Sequence, residues 1–175
     1  MTQAPPESAL PKGFRFAATA CGLKKTGALD LALISSDVSA SGAAVFTQNL
    51  VVAAPVTLSK KNLQVSKGRM RAVVVNAGNA NCATGEQGDS TSQRTNEEAA
   101  RRMGLEPHEL FVCSTGVIGV QLPIRIHCLE QTAAAAAIVD HLRHRVACAA
   151  ARFKTGQFSK HGTFHCIWQA LQPRY

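Results

Sequence analysis

Short apolar runs, broken by glycine, proline and small polar residues, organise the chain up to Ile124. The stretch from Gly13 to Gly22, with Phe14 and Phe16 among small residues, predicts a strand. Lys24-Lys25-Thr26-Gly27 then turns into a second strand, Leu29 to Ser35, and Asp37 falls in a small-residue loop. Ala43 to Thr47 predicts a third short strand. Pro55 suits the first turn of a helix, where the N–H it lacks is not needed, and Val56 to Leu63 forms that helix, ending before Gly68. Arg71-Ala-Val-Val-Val-Asn76 is rich in β-branched residues and reads as a buried strand.

A loop dense in Gly and Asn follows, from Asn76 to Gly88, made of the residues that best tolerate left-handed backbone. Asp89 or Ser90 can cap the next helix, Thr91 to Met103, and Gly104 stops it. Pro107 to Leu110 turns into a strand that ends in Cys113-Ser114-Thr115-Gly116. Strands and helices alternate, which predicts an α/β domain.

Past Ile124 the pattern is lost. Gln131 to Val146 reads as helical around Ala133 to Ala137, but after Arg152 no period of either kind is sustained. Five of the six histidines lie in this region (127, 141, 144, 161 and 165), with Trp168 and Tyr175. Charge is unevenly spread too. Of the net +8, most lies from Arg125 onward, where seven basic residues face only Glu130 and Asp140. Nothing before that point looks like a nucleic-acid surface.

Composition narrows the class. A chain of 175 residues, 46% hydrophobic and 17% charged, suits one globular domain with a real core. No apolar run approaches the length needed to cross a bilayer. Met1 to Leu10 lacks a basic and a long apolar region, so it reads as a disordered leader and not a signal peptide. The cysteines at 21, 82, 113, 128, 148 and 166 include no CxxC pair, and reduced thiols in a cytoplasmic protein are the simpler account.

The strand end at Cys113-Ser114-Thr115-Gly116 is the first candidate for chemistry. A hydroxyl and an unhindered backbone N–H there can donate to a developing negative charge, as an oxyanion hole requires. A plain strand end with a glycine turn is the structural alternative. Ser114 and Cys113 are candidate nucleophiles, but no GxSxG elbow surrounds Ser114, and His108 is near only in sequence. Cys113 is expected to face the core. The Asn76–Gly88 loop has neither a GxGxxG fingerprint nor a Walker lysine, which favours a structural loop or one wall of a substrate pocket over a phosphate cradle. His141, His144, His161, His165 and Cys166 match no standard zinc finger. A basic tail that binds metal, RNA or membrane stands against an unstructured C-terminus, which is the favoured reading.

Taken in order, several segments carry a resemblance. They are Pro11-Lys12-Gly13-Phe14, Asp30-Leu-Ala-Leu-Ile-Ser-Ser-Asp37, Val45-Phe46-Thr47-Gln48-Asn49, Ala53-Ala54-Pro55-Val56, Val73-Val-Val-Asn76-Ala-Gly-Asn79-Ala-Asn81, Thr84-Gly85-Glu86-Gln87-Gly88 and Ser114-Thr115-Gly116-Val117-Ile118-Gly119. The series resembles the N-terminal part of the bifunctional ornithine acetyltransferase / glutamate N-acetyltransferases of arginine biosynthesis, over about residues 11–124. The resemblance implies the α-subunit part of that α/β fold and a cytoplasmic enzyme. Such enzymes are made as a precursor that cuts itself before a threonine in an Ala-Thr-Met-Leu context. The new N-terminal threonine takes acetyl from N-acetylornithine and passes it to glutamate, its own amine serving as base. Acetyl-CoA as a further donor is left open. Thr115 and Gly116 match the family's oxyanion pair. The resemblance implies no metal or organic cofactor, an α/β heterotetramer, and no nucleic-acid or membrane partner.

The sequence also departs from that pattern. Its two Ala-Thr pairs, Ala18-Thr19 and Ala83-Thr84, lack a following Met-Leu, and both precede Thr115. The expectation is therefore three parts: a leader over 1–10, an acetyltransferase-like region over 11–124, and a divergent basic tail over 125–175. The Ala, Arg, His and Cys content of that tail is what an out-of-frame reading of GC-rich DNA produces. On this reading the chain holds the oxyanion part, lacks the nucleophile and is inactive alone. A non-catalytic fragment whose His/Cys tail binds metal or nucleic acid is the alternative.

Overall fold

The computed structural model describes residues 13–123. The leader, the helix expected over Gln131 to Val146 and the divergent tail lie outside the described residues. Four strands and two helices follow one another as β1 (Phe14–Thr19), β2 (Leu31–Ser41), α1 (Ala54–Val65), β3 (Arg69–Asn79), α2 (Gly85–Met103) and β4 (Leu110–Val117). A 3-10 turn, Pro107–Glu109, leads into β4. The sheet order is β1-β2-β3-β4. The first three strands are antiparallel, and β3 and β4 are parallel with α2 as their crossover. The α/β expectation holds.

Side-chain alternation assigns the faces. Ala17, Leu33, Val74 and Val112 are in register across the four strands. They form the core with Leu31, Ala72, Leu110 and Ala99 of α2, against which Leu58 and Met103 pack. Both helices thus lie on that face.

A polar device fixes α1. As the last strand of the sheet, β4 would present unpaired backbone groups along its outer side. Ser59 Oγ donates to the Val112 carbonyl at 2.9 Å and accepts from the Val112 N–H at 3.0 Å. Asn62 Nδ2 donates to the carbonyls of Leu110, at 2.8 Å, and Pro107, at 3.1 Å. Asn96 of α2 also donates to Pro107 O, at 3.0 Å. All three side chains are buried. Their spacing at 59 and 62 is that of one helix face.

Four local expectations need correction. Ala43 to Thr47 is not a strand: β2 ends at Ser41, and the segment after it pairs with none of the four strands. The segment after Gly42 lies open, with Leu50 99% exposed. Asp37 belongs to β2, carried past Ser35 by a register shift. Asn76 to Asn79 continues β3 instead of opening the loop. Helix α2 begins at Gly85, with Glu86 in its first turn, and not after Asp89 or Ser90. Two glycines argue locally for loop there, but Asn81 Nδ2 bonds Gly88 O at 2.9 Å and holds the turn helical.

Candidate functional site: a glycine corner at the end of the parallel strands

The C-terminal ends of β3 and β4 meet at Asn76–Asn79 and Ser114–Val117. Ser114 lies two residues beyond Val112 and shares its helix-covered face. It is buried, and its hydroxyl donates to Asn76 Oδ1 at 2.5 Å. Asn76 Nδ2 donates in turn to Asn79 O at 2.7 Å. The Ser114 hydroxyl is therefore spent on joining the two strands and is not an exposed nucleophile. His108 sits in the turn at the other end of β4 and is not brought to Ser114. Cys113 is half-buried, not in the core: it follows Phe111 on the face away from the helices. Cys21 and Cys82 are buried, and Cys21, Cys82 and Cys113 are in no disulfide.

Thr115 and Gly116 are exposed. The Thr115 hydroxyl reaches the Asn76 carbonyl at 3.4 Å, a long and weak hydrogen bond that leaves it open to another acceptor. Gly116 has φ +136°, and a Cβ on it would lie 2.3 Å from Gly78 C and 2.4 Å from Asn79 N. Only glycine lets the two backbones approach this closely. Asn79 pairs with both Thr115 and Val117, the neighbours that flank Gly116. Alternate residues of a parallel pair turn their backbone groups to the neighbouring strand. The outer side of β4 is the one to which the Val112 N–H turns, toward Ser59.

The first turn of α1 lies on that side. Asn62 bonds Leu110 and Ser59 bonds Val112, so α1 runs antiparallel to β4 and its N-terminal end approaches the corner. This end has no side-chain cap and no acidic residue in its first turn. Its partial positive charge is uncompensated and favours negative charge nearby.

Loops on either side brace the corner. Ala80 N donates to Val117 O and Gly119 N to Cys82 O, both at 2.9 Å. Asn79 Nδ2 donates to Val120 O at 3.0 Å, and Gln121 Nε2 to Thr84 O at 2.9 Å. Asn81, at φ 45°, bonds Gly88 O and Ser92 Oγ and accepts from Thr84 Oγ1. The Asn-rich loop turns these polar groups on its own backbone, which accords with a structural loop and not a phosphate cradle. Its asparagines were legible only as a cluster; which bonds they make was not.

Among the described residues no group of three or more His, Cys, Asp or Glu is placed to hold a metal ion, and no helix is long and apolar enough to cross a membrane. The histidines of the alternative reading lie outside the described residues.

The model of the ArgJ family matches residues 15–171. The chain belongs to the ArgJ family. Among relatives, the arginine biosynthesis bifunctional protein ArgJ of Geobacter sulfurreducens is 53% identical over 113 residues, 65% of this chain and 28% of that protein. The ArgJ of Rhodopirellula baltica is 39% identical over 151 residues, 86% of this chain and 36% of that protein. The chain thus spans about a third or less of the ArgJ relatives it matches. The ornithine acetyltransferase of Mycobacterium tuberculosis, solved with ornithine, superposes with a TM-score of 0.68 at 35% identity, covering 77% of this chain and 74% of that one. The Bacillus halodurans ArgJ gives 0.66 at 35% identity, covering 71% and 64%. The α/β fold is shared with both ArgJ-type structures.

Proposed function

We propose that these residues supply the oxyanion-binding part of an acetyl-transfer site in arginine biosynthesis. The reading rests on one observation above the others: a Thr-Gly pair, exposed and held in a backbone geometry that only glycine allows, in a chain of the ArgJ family. A threonine nucleophile attacks the acetyl carbonyl of N-acetylornithine, and the carbonyl oxygen becomes an anion. The Gly116 N–H and the Thr115 hydroxyl donate to it, and the positive end of α1 adds to the local potential. Collapse releases ornithine and leaves an acetyl-threonine ester, which the glutamate amine then attacks through a second oxyanion at the same corner. Loss of one donor of this kind costs a factor of about 10² to 10³ in turnover.

The 175 residues contain no Ala-Thr-Met-Leu context. We assign the nucleophile to a threonine-bearing segment outside them, in a two-chain assembly of the family's kind. The test is an assay of the purified chain with N-acetylornithine and glutamate, alone and co-expressed with the threonine-bearing segment of the Geobacter relative. No turnover alone and turnover in the pair are expected. Steady turnover by the chain alone overturns the assignment of the nucleophile. A functional pair that keeps full activity with Thr115→Val overturns the role of that hydroxyl. Replacing N-acetylornithine by acetyl-CoA in the same assay decides whether the latter is a donor.

A further inference from the structure

Asp30 is fully buried, just ahead of β2. Nothing in the reaction uses it directly. Its carboxylate accepts three backbone N–H bonds: Cys21 on Oδ1 at 2.5 Å, and Leu23 and Lys24 on Oδ2 at 2.6 and 2.9 Å. Bonds to an ionised acceptor are among the stronger ones, and three of them on one buried carboxylate fix the turn between β1 and β2. Its own carbonyl accepts the Ala77 N–H at 2.8 Å, one residue before Gly78.

The turn so fixed bears on the corner. Gly78 has φ +120°, and a Cβ on it would lie 3.2 Å from Leu23 O and 3.3 Å from Leu23 C. On its other side Gly78 meets Gly116. The backbone of Gly78 is thus sandwiched between Leu23, which Asp30 holds, and Gly116. We infer that Asp30 is a positioning residue for the Thr115–Gly116 corner, acting through Leu23 and Gly78. Its catalytic meaning rests on the oxyanion reading above; the mechanical coupling does not.

Asp30→Asn tests it, because the amide keeps the shape but replaces one acceptor oxygen by a donor that faces an N–H. Amide spectra of the 15N-labelled 175-residue chain are compared with those of Asp37→Asn, a change at an exposed ion pair with Arg15. In Asp30→Asn the Gly78, Thr115 and Gly116 signals are expected to move together with those of Leu23 and Lys24, while Ala99 and Ala100 of α2 stay. Movement confined to residues 21–24, or equal movement in Asp37→Asn, overturns the inference. Should Asp30→Asn fail to fold, native-state hydrogen exchange on the unaltered chain serves instead. The amides of Leu23 and Lys24 are expected to open with those of Ala77 and Ala80, with one shared dependence on urea. Loop amides that open while Ala77 and Ala80 stay protected refute the coupling. Neither readout depends on turnover, so a failed oxyanion reading shows separately, as undiminished activity of Thr115→Val in the assembled pair.

Discussion

Gly116→Ala is the most direct challenge to the corner geometry, and Gly119→Ala is its internal control. Both glycines have positive φ, +136° and +78°. At Gly119 nothing lies within 4 Å of the added methyl, so the cost there is conformational only, about 1–2 kcal/mol. At Gly116 the methyl would stand 2.3 Å from Gly78 C, 2.4 Å from Asn79 N and 2.6 Å from Gly78 O, all of them backbone. Carbon atoms pack best at about 3.5–4.0 Å. The two strands must therefore separate by about 1 Å, and overpacking of this kind adds about 1–3 kcal/mol. Urea unfolding of the whole chain, followed by circular dichroism, reads the difference between the variants. With a slope of about 2 kcal/mol per molar, Gly116→Ala should unfold about 0.5–1.5 M below Gly119→Ala. The strand end can instead peel away, which caps the loss. Ala80, whose N–H bonds Val117 O, then loses hydrogen-exchange protection in Gly116→Ala alone. Equal midpoints together with a protected Ala80 would refute the close approach of the two backbones.

Other outcomes follow from the same contacts. Ser59→Ala removes the partner of both the N–H and the C=O of Val112, and should lower stability by about 2–3 kcal/mol in urea unfolding; a loss under 0.5 kcal/mol contradicts a pinned β4. Ser114→Ala strips Asn76 Oδ1 of its donor and should cost about 1–3 kcal/mol without exposing a nucleophile. The Arg101 and Arg102 guanidiniums bonded to Glu98 hold its carboxyl at about 2, below the ordinary 4.5. A lowered carboxylate stabilises the fold above its unfolded value and loses that contribution as pH falls from 4.5 toward 2. Glu98→Gln should flatten this part of the stability profile, measured by thermal unfolding against pH, and added salt should shrink the difference, since Arg101 is largely exposed. An unchanged acid limb contradicts the pairing.

Much of this was legible in the sequence, for identifiable reasons. The β-branched run at 71–76 and the apolar run at 110–112 announce strands because they are buried in the parallel pair. Gly104 announces a helix end because it adopts the left-handed conformation there. Residue order alone placed Ser114-Thr115-Gly116 at the end of a strand, while the pairing of Thr115 with Gly116 came from the resemblance. What stayed hidden depends on partners distant in sequence. Ala43 to Thr47 has strand-like residues, but a strand needs a partner and none of the four strands pairs with them. Residues 85–90 look like loop until Asn81 reaches Gly88 and Ser92. Ser59 and Asn62 looked like ordinary polar positions of a short helix; only a strand edge 53 and 48 residues away gives them a task. Asp30 was one letter of a motif until its three donors were visible.

The corner also shows why side-chain chemistry alone misleads at such a site. Of its two adjacent hydroxyls, Ser114 is the one a nucleophile search selects, yet strand alternation turns it inward to Asn76. Thr115, one residue on, faces outward with a weak 3.4 Å bond. The feature that is hardest to replace is a missing side chain: Gly116 fits only because it has no Cβ to meet the backbone of Gly78 and Asn79. An oxyanion site built on backbone N–H groups needs rigidity more than functional groups, since donors that must reorganise lose their advantage. If the corner is the oxyanion site proposed above, the polar side chains of Asp30, Asn76, Asn79 and Ser114 supply that rigidity. On this argument, substitutions that keep polarity but change acceptor to donor, such as Asp30→Asn, disturb the corner more than removal of the exposed Asp37 carboxylate.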